Sequence, residues 1–395
     1  MHVLIAGAGI GGLTTALCCV QHGLDVTVLE RAPIIAEVGA GIQLPPNAMH
    51  VFRKLGLEDA LRAVSVAPDA IETRMGMSGR TIFNIPLADH AEKKWGAPYL
   101  HIHRADYIAV LLDALKTRAP QALRLGQPVS HYEQNEDQVR IDGQATLTGD
   151  VLIGADGIQS VIRQQMLGED AARFTGNVAW RATVPMDVLG DLAPKRTACA
   201  WMGEGRHAVT YQLRSGDLAN FVGVVERDGW TEEGWTIKGS KAELMDDFAG
   251  WHPVITNLIQ AVDEDQLYRW ALFDRPPLTH WTDGRVALLG DSAHPMLPFL
   301  AQGAAMAVED AWVLAKNLSR NRPPPMSLKA YADQRQARTA KVQSVSRANM
   351  GIFHKRGRVA QLATYGPMWL AGHVVPGIIH SRMNWLYGYD VTQSA

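Results

Sequence analysis

Gly7-Ala8-Gly9-Ile10-Gly11-Gly12 follows the apolar run Val3-Leu4-Ile5-Ala6 directly and has the order GxGxxG. In such a turn the first glycine permits the tight bend, and the second lets backbone amides approach a pyrophosphate. The N-terminus of the following helix then favours the negative charge. Glu30 closes the next apolar run, 18 residues beyond Gly12, where a carboxylate accepts hydrogen bonds from an adenosine ribose. This spacing implies a dinucleotide site without separating NAD from FAD. Gly290-Asp291, at the end of a later apolar run, separates them. An aspartate at the carboxyl end of a parallel strand is placed to bind a ribityl hydroxyl. The loop from Pro298 runs into a helix opened by Gly303 and Ala304, whose amides and dipole can stabilise charge at N1–C2=O of a reduced isoalloxazine. His207, Val209 and Tyr211 alternate along one run and so share a strand face. If that face covers the flavin, His207 is a base with a pKa near neutrality and Tyr211 a hydrogen-bond partner for substrate. The competing reading of His207 is a surface residue at a strand start, beside the turn Glu204-Gly205-Arg206.

The elements that position these residues are legible as a pattern. A strand at 3–6, a helix from about Gly11 to His22 ended by Gly23, and a strand at 25–30 make one βαβ crossover. Val151–Gly154 and Arg285–Gly290 are further continuous apolar strands, as expected in a sheet covered on both faces. Residues 178–184, 197–202, 207–213 and 219–225 are strands separated by Gly203-Glu204-Gly205 and Ser215-Gly216-Asp217, hence antiparallel. A helix spans roughly 303–318. A break at Pro323-Pro324-Pro325 precedes a long polar helix from Leu328 to about Asn349, and the tail from Asn384 packs as a helix.

Composition narrows the classes. The chain has 395 residues, 47% hydrophobic and 20% charged, with a formal net charge of −2. That balance gives no pull toward nucleic acid or anionic lipid, and disorder does not fit. Cys18, Cys19 and Cys199 have neither disulfide nor zinc-ligand spacing, and no metal is expected. No basic segment opens the chain, so the expectation is a cytoplasmic protein. Pro367, Pro376, Gly366 and Gly372 interrupt the apolar stretch 362–379 and argue against a spanning helix.

Several further segments resemble one family. Asp156-Gly157-Ile158-Gln159-Ser160-Val161-Ile162-Arg163 is similar to the DG fingerprint of single-component FAD-dependent aromatic hydroxylases. His103-Arg104-Ala105-Asp106 resembles their arginine segment near the flavin diphosphate. Gly39-Ala40-Gly41-Ile42-Gln43-Leu44-Pro45-Pro46-Asn47-Ala48 resembles their loop at the isoalloxazine edge, and Trp385–Asp390 resembles the tail of salicylate-hydroxylase-like members. The motif order is kept along almost the whole chain. The resemblance implies an α/β fold: a Rossmann-like FAD domain (1–70, 98–172, 272–320), an inserted antiparallel substrate sheet (71–97, 173–271) and a helical C-terminal region (321–395). It implies FAD held by Gly7, Gly9, Gly11, Gly12, Glu30, Arg31, Gln43, Arg104, Val129, Asp156, Asp291, Gly303 and Ala304. NADH or NADPH and O2 would be co-substrates, and a flavin C4a-hydroperoxide would attack a phenol made nucleophilic by deprotonation. His207 and Tyr211 stand where related hydroxybenzoate and hydroxynicotinate hydroxylases place a His and a Tyr. Pro295 would shape the pocket above the flavin, and His294 beside it is structural. Met296, Leu297, Phe299 and Leu300 would wall the ring site.

Departures from the family pattern narrow the substrate. Hydroxynicotinate hydroxylases carry histidines where Gln43 and Phe299 stand, and 3-hydroxybenzoate 6-hydroxylases have a glutamine near Pro298. The expectation is therefore salicylate or a related hydroxybenzoate, in a small pocket bounded by Phe299, Trp201 and Trp180. Arg181, Arg206 or Arg80 would bind its carboxylate. The alternatives are a hydroxynicotinate-like or secondary-metabolite phenol, a lipid substrate, or an aromatic-binding flavoprotein acting mainly as an NAD(P)H oxidase. Monomer and homodimer are equally compatible.

Overall fold

The computed structural model describes residues 1–35, 41–142, 146–169, 172–229, 237–374 and 376–393. Its first layer is a six-stranded sheet in the order Thr282–Asp283, Val286–Leu288, Val151–Gly154, His2–Ala6, Asp25–Glu30, Leu123–Leu125. All pairs are parallel except the short Thr282–Asp283/Val286–Leu288 hairpin. Val3, Leu4, Ile5, Val151, Leu152 and Ile153 are fully buried, as strands covered on both faces must be. The first strand has its crossover partners on opposite sides, so a crevice opens at its carboxyl end, where the glycine turn lies. The helix Ile10–Gln21 leaves that turn and packs against the helix Gly303–Leu318. Gly11 makes this approach possible, since a Cβ there would sit 2.9 Å from Leu289 Cδ2 and 3.4 Å from Ala307 Cβ.

The second layer is an eight-stranded sheet built around Arg173–Pro185, Leu218–Glu226, Arg206–Leu213 and Thr197–Gly203, neighbours in that order. It is antiparallel apart from one pair: Thr197–Gly203 runs parallel to Ala70–Met75, because the latter arrives from the first layer rather than through a hairpin. One face carries Trp180, Ala208 and Phe221 into a core shared with Phe248, Trp251 and Ile255 of the segment 241–260. The alternation of strand side chains sends their neighbours to the opposite face, toward the first layer.

The third part is helical. The long helix is Pro324–Phe353, starting four residues before the expected Leu328, because proline suits a helical first turn in which the N–H has no partner. Its Gln343, Ser346 and Asn349 side chains donate to the carbonyls of Pro295 (2.8 Å), Leu297 (2.6 Å) and Phe299 (3.1 Å), clamping the loop after the Gly290-Asp291 turn. Further down the same helix, Arg335 pairs with Glu309 and Asp310 at 2.7 Å each, all three fully buried. Arg338 reaches Glu309 at 2.7 Å, and His294 reaches Asp310 at 2.5 Å. In the tail, Asn384 accepts a hydrogen bond from Trp95 at 2.9 Å, and the Tyr387 ring packs on Trp95 and Tyr99. No helix among the described residues is long and apolar enough to cross a membrane.

Removing one partner of a buried ion pair strands the other charge, which costs about 3–5 kcal/mol. Arg335→Met should therefore lose that much stability in denaturant unfolding of the flavin-loaded protein. A variant with unchanged unfolding would mean that Glu309 and Asp310 do not depend on Arg335.

Candidate active site

At the first-layer crevice, Gly7 adopts φ +102°, and a Cβ on it would lie 2.5 Å from the Ala155 carbonyl oxygen. A Cβ on Gly12 would lie 1.9 Å from the Gly7 carbonyl, whereas Gly9 has open space on that side. The turn is pinned from beneath: Gly7 N–H donates to Leu29 O at 2.7 Å, and Glu30 accepts from the amides of Ala8 and Ala32 at 2.9 Å each. Carboxylate oxygens carry further lone pairs, so Glu30 can still take ribose hydroxyls. The helix after the turn has no acidic residue in its first turn and no side-chain cap, which leaves its amides for an anion.

Above this turn lies a cleft of about 370 Å3, within the range of small-molecule sites. Gly9, Gly11, Gln43, Arg104, Asp291, Gly303 and Ala304 line it. Asp291 opens onto the cleft while protein crowds its other sides. That crowding raises its carboxyl above the usual range, against the pull of His294, Arg104 and Arg163. Arg163 locks two motifs together, donating to the carbonyls of Ile158 (2.5 Å) and Ser292 (3.1 Å). Asp156 Oδ2 accepts from Ile162 N at 3.2 Å, and its buried Oδ1 has no hydrogen-bond partner among the described residues. The helix opened by Gly303 again has neither an acidic first turn nor a side-chain cap. Two uncapped helix starts, a glycine cradle, Glu30 and Asp291 form a donor and acceptor set that fits FAD.

The far end of the cleft is walled by the second layer. His207, Val209 and Tyr211 all line it, with Val222, Val224, Trp270, Met296, Leu297 and Pro298. His207 is buried, its ring 5.2 Å from Phe299 and 5.0 Å from Phe353, and its Nδ1 is 2.7 Å from His354 Nε2. Burial, and then His354, push its pKa well below the usual histidine value. Tyr211 packs on His101 with ring centroids 4.6 Å apart, and burial pushes its phenol up to about 12. Arg181 lines the same space, donates to Gly41 O at 2.7 Å and lies over the Trp270 ring at 5.7 Å.

The chain matches the family described as "FAD binding domain" over residues 1–346. It is 38% identical over 396 residues to 3-hydroxybenzoate 6-hydroxylase 1 of Aquipseudomonas alcaligenes, covering 99% of this chain and 98% of that one. The chain belongs to the FAD-dependent aromatic hydroxylases. It is also 34% identical to 6-hydroxynicotinate 3-monooxygenase of Bordetella bronchiseptica, over 99% of this chain and 95% of the relative. Among solved structures, Klebsiella pneumoniae HpxO complexed with FAD and uric acid is similar with TM-score 0.85, 28% identity and 96% coverage of both chains. A salicylate hydroxylase substrate complex is similar with TM-score 0.82 and 26% identity, over 99% of this chain and 96% of that one.

Within this hydroxylase the expected cofactor residues divide by place. Gly7, Gly12 and Glu30 shape the turn from behind. Arg31 is exposed and Val129 half-buried against the first core, and neither is among the described cleft residues. Gly39 and Ala40 lie outside the described residues, whereas Gly41–Leu44 forms a strand paired with Leu100–His103. Pro295 does not shape the cavity. It is buried behind the loop with its carbonyl bonded to Gln343, and Pro298, three residues on, lines the cleft instead. His207 is not the near-neutral histidine expected, because burial and then His354 disfavour its charged form. Trp180 and Trp201 do not bound the pocket either: both sit in the core on the other face of the sheet, Trp180 bonded to Asp247 (2.8 Å) and Trp201 to Thr210 (3.0 Å). Of the three cations, only Arg181 reaches the cleft. Arg206 is tied to the Asp247 carbonyl and Arg80 is exposed. The sequence offered no sign of His354.

Gly12→Ala drives a methyl group into the Gly7 carbonyl, so the purified variant should contain little or no flavin by the ratio of visible to ultraviolet absorbance. Near-stoichiometric flavin in that variant would show that the turn can relax.

Proposed function

We propose that this enzyme hydroxylates a small phenolic carboxylic acid of the hydroxybenzoate type, with NADH or NADPH as electron donor. The observation that carries this reading is a register across three strands. Val209 pairs with Val222, and Val222 pairs with Arg181. Arg181 therefore stands two strand spacings, about 10 Å, from the His207–Tyr211 face. A benzoate ring with a hydroxyl bridges such a gap, its carboxylate on the guanidinium and its phenol at the histidine. The 3-hydroxybenzoate 6-hydroxylase relatives support the same substrate class, and so does the salicylate hydroxylase neighbour.

The glycine turn, Glu30, Asp291 and the helix start at Gly303 would hold FAD, which would supply hydride acceptance from the nicotinamide and activation of dioxygen. The chain's own residues do the rest. His354 occupies His207 Nδ1, so Nε2 is the ring nitrogen left to take the phenol proton, which makes the ring electron-rich. Tyr211 stays protonated far above neutral pH and donates a hydrogen bond to the substrate oxygen. Val222, Val224, Trp270, Met296 and Leu297 keep water away from the reacting carbon.

Oxygen-dependent NADH and NADPH oxidation should accelerate with 3-hydroxybenzoate or salicylate, and mass spectrometry should find hydroxylated product in proportion. A dihydroxybenzoate retains the carboxyl carbon, whereas catechol with released CO2 marks attack at the carboxylated carbon. Peroxide as the sole product with every hydroxybenzoate would sink the proposal and leave an NAD(P)H oxidase. His207→Ala should lower kcat/KM by roughly 10²–10⁴-fold. A depressed pKa keeps the base neutral and competent as pH falls, so wild-type kcat/KM should show no inflection near pH 6.5. Such an inflection, absent in His207→Ala, would contradict a buried neutral base.

A further inference from the structure

His207 is buried at the far end of the cleft, so a proton it accepts needs a way out. The ring is flanked by Phe299 and Phe353, and the polar continuation is His354, the residue that ends the helix Pro324–Phe353. His207 Nδ1 and His354 Nε2 are 2.7 Å apart, and His354 Nδ1 lies 3.2 Å from Glu226 Oε1. Glu226 ends the strand Leu218–Glu226, and its side chain is 36% exposed, against 2% for that of His354. Three titratable groups from two strands and a helix thus form an unbroken line from the cleft to solvent. We propose that His207, His354 and Glu226 form a proton path between the phenol of the bound substrate and bulk water. This rests on the phenol lying beside His207, as proposed above.

The path balances without an added reagent. The phenol O–H bond breaks as His207 Nε2 gains the proton, while Nδ1–H passes to His354 Nε2. His354 Nδ1–H then passes to the Glu226 carboxylate, which releases it to water. One proton reaches solvent, one phenolate remains, and both imidazoles end neutral with their tautomers exchanged. A proton returning along the same line to the product phenolate resets them. Burial lowers the pKa of His354 as well, so neither ring holds a proton for long. The other charged groups around the line lie at its outer end. Arg356 pairs with Glu226, and Glu204 accepts from Gly357 N at 3.0 Å. Partial burial works against it, yet Arg356 and then His354 hold the Glu226 carboxyl below the usual range, ready to accept and release. The backbone fixes the same geometry, with Glu226 N–H donating to Gly205 O at 2.8 Å. His354 and Glu226 are relay residues: neither lines the cleft.

The test uses flavin-loaded enzyme and 3-hydroxy-4-nitrobenzoate, whose phenolate is coloured. Stopped-flow mixing in the absence of NADH follows phenolate formation, and the perturbed flavin spectrum reports binding separately. His354→Gln and Glu226→Gln should slow phenolate formation by at least about tenfold while the dissociation constant stays within about twofold. Glu226→Asp should stay near wild type, and added imidazole should accelerate the slowed variants only. Because Glu226 is at the surface, its variants keep the test decisive if His354→Gln fails to fold. Phenolate formation within about twofold of wild type in the glutamine variants, with the probe bound, overturns the path while the aromatic-acid reading stands. Slowing that neither imidazole nor Glu226→Asp relieves also overturns it. A probe that leaves the wild-type flavin spectrum unchanged removes the aromatic-acid reading and the path with it.

Discussion

The two adjacent carboxylates of Glu309 and Asp310, fully buried on the helix after the flavin turn, hold the rest of the architecture in register. They answer to two guanidinium groups, Arg335 and Arg338, so the charge closes within the core. Their remaining lone pairs reach outward: Asp310 accepts from Gly290 N and from His294, and Glu309 accepts from Asn47 Nδ2 at 2.7 Å. Arg338 in turn donates to the carbonyls of Trp385 and Leu386 in the tail. Segments from four distant parts of the chain meet here. A dry ionic cluster adds little net stability over an apolar one, but it tolerates only one arrangement of its partners. Its effect is placement, and what it places is Asp291 relative to the glycine turn.

The cleft joins two unlike environments. Its nucleotide end is made of backbone amides and helix starts, which recognise charge without committing side chains. Its far end is a mostly apolar sheet face in which His207 and Arg181 already have defined neighbours. On the proposed reading, that contrast lets one histidine be buried at the cleft and still serve as a base. Its Nδ1 is engaged by His354 Nε2 at 2.7 Å, which leaves Nε2 as the nitrogen for a ligand.

Much of this was legible in the sequence where chemistry is local. The glycine turn with Glu30, the helix from Gly303 and the shared face of His207, Val209 and Tyr211 all follow from spacing within one or two elements. What failed depended on contacts between distant segments. Pro295 and Pro298 are equally plausible wall residues in a string of letters, and only the clamp from Gln343 turns one inward. Period-two alternation fixes that Trp180 and Arg181 point oppositely but not which one meets the cleft. The lowered pKa of His207 comes from its burial and then from His354, 147 residues away and in no motif.

The loop from Pro295 to Phe299 is held by its carbonyls, through side chains spaced three apart on the long helix meeting backbone oxygens spaced two apart on the loop. Carbonyls are common to every residue type, so the frame does not depend on which side chains the loop displays. Met296 lines the cleft outside that frame, whereas Leu297 and Phe299 are also packed in a small core with Val224 and Trp270. The loop backbone is in this sense a fixed mount, and the side chain at Met296 is the replaceable fitting that it presents to the cleft.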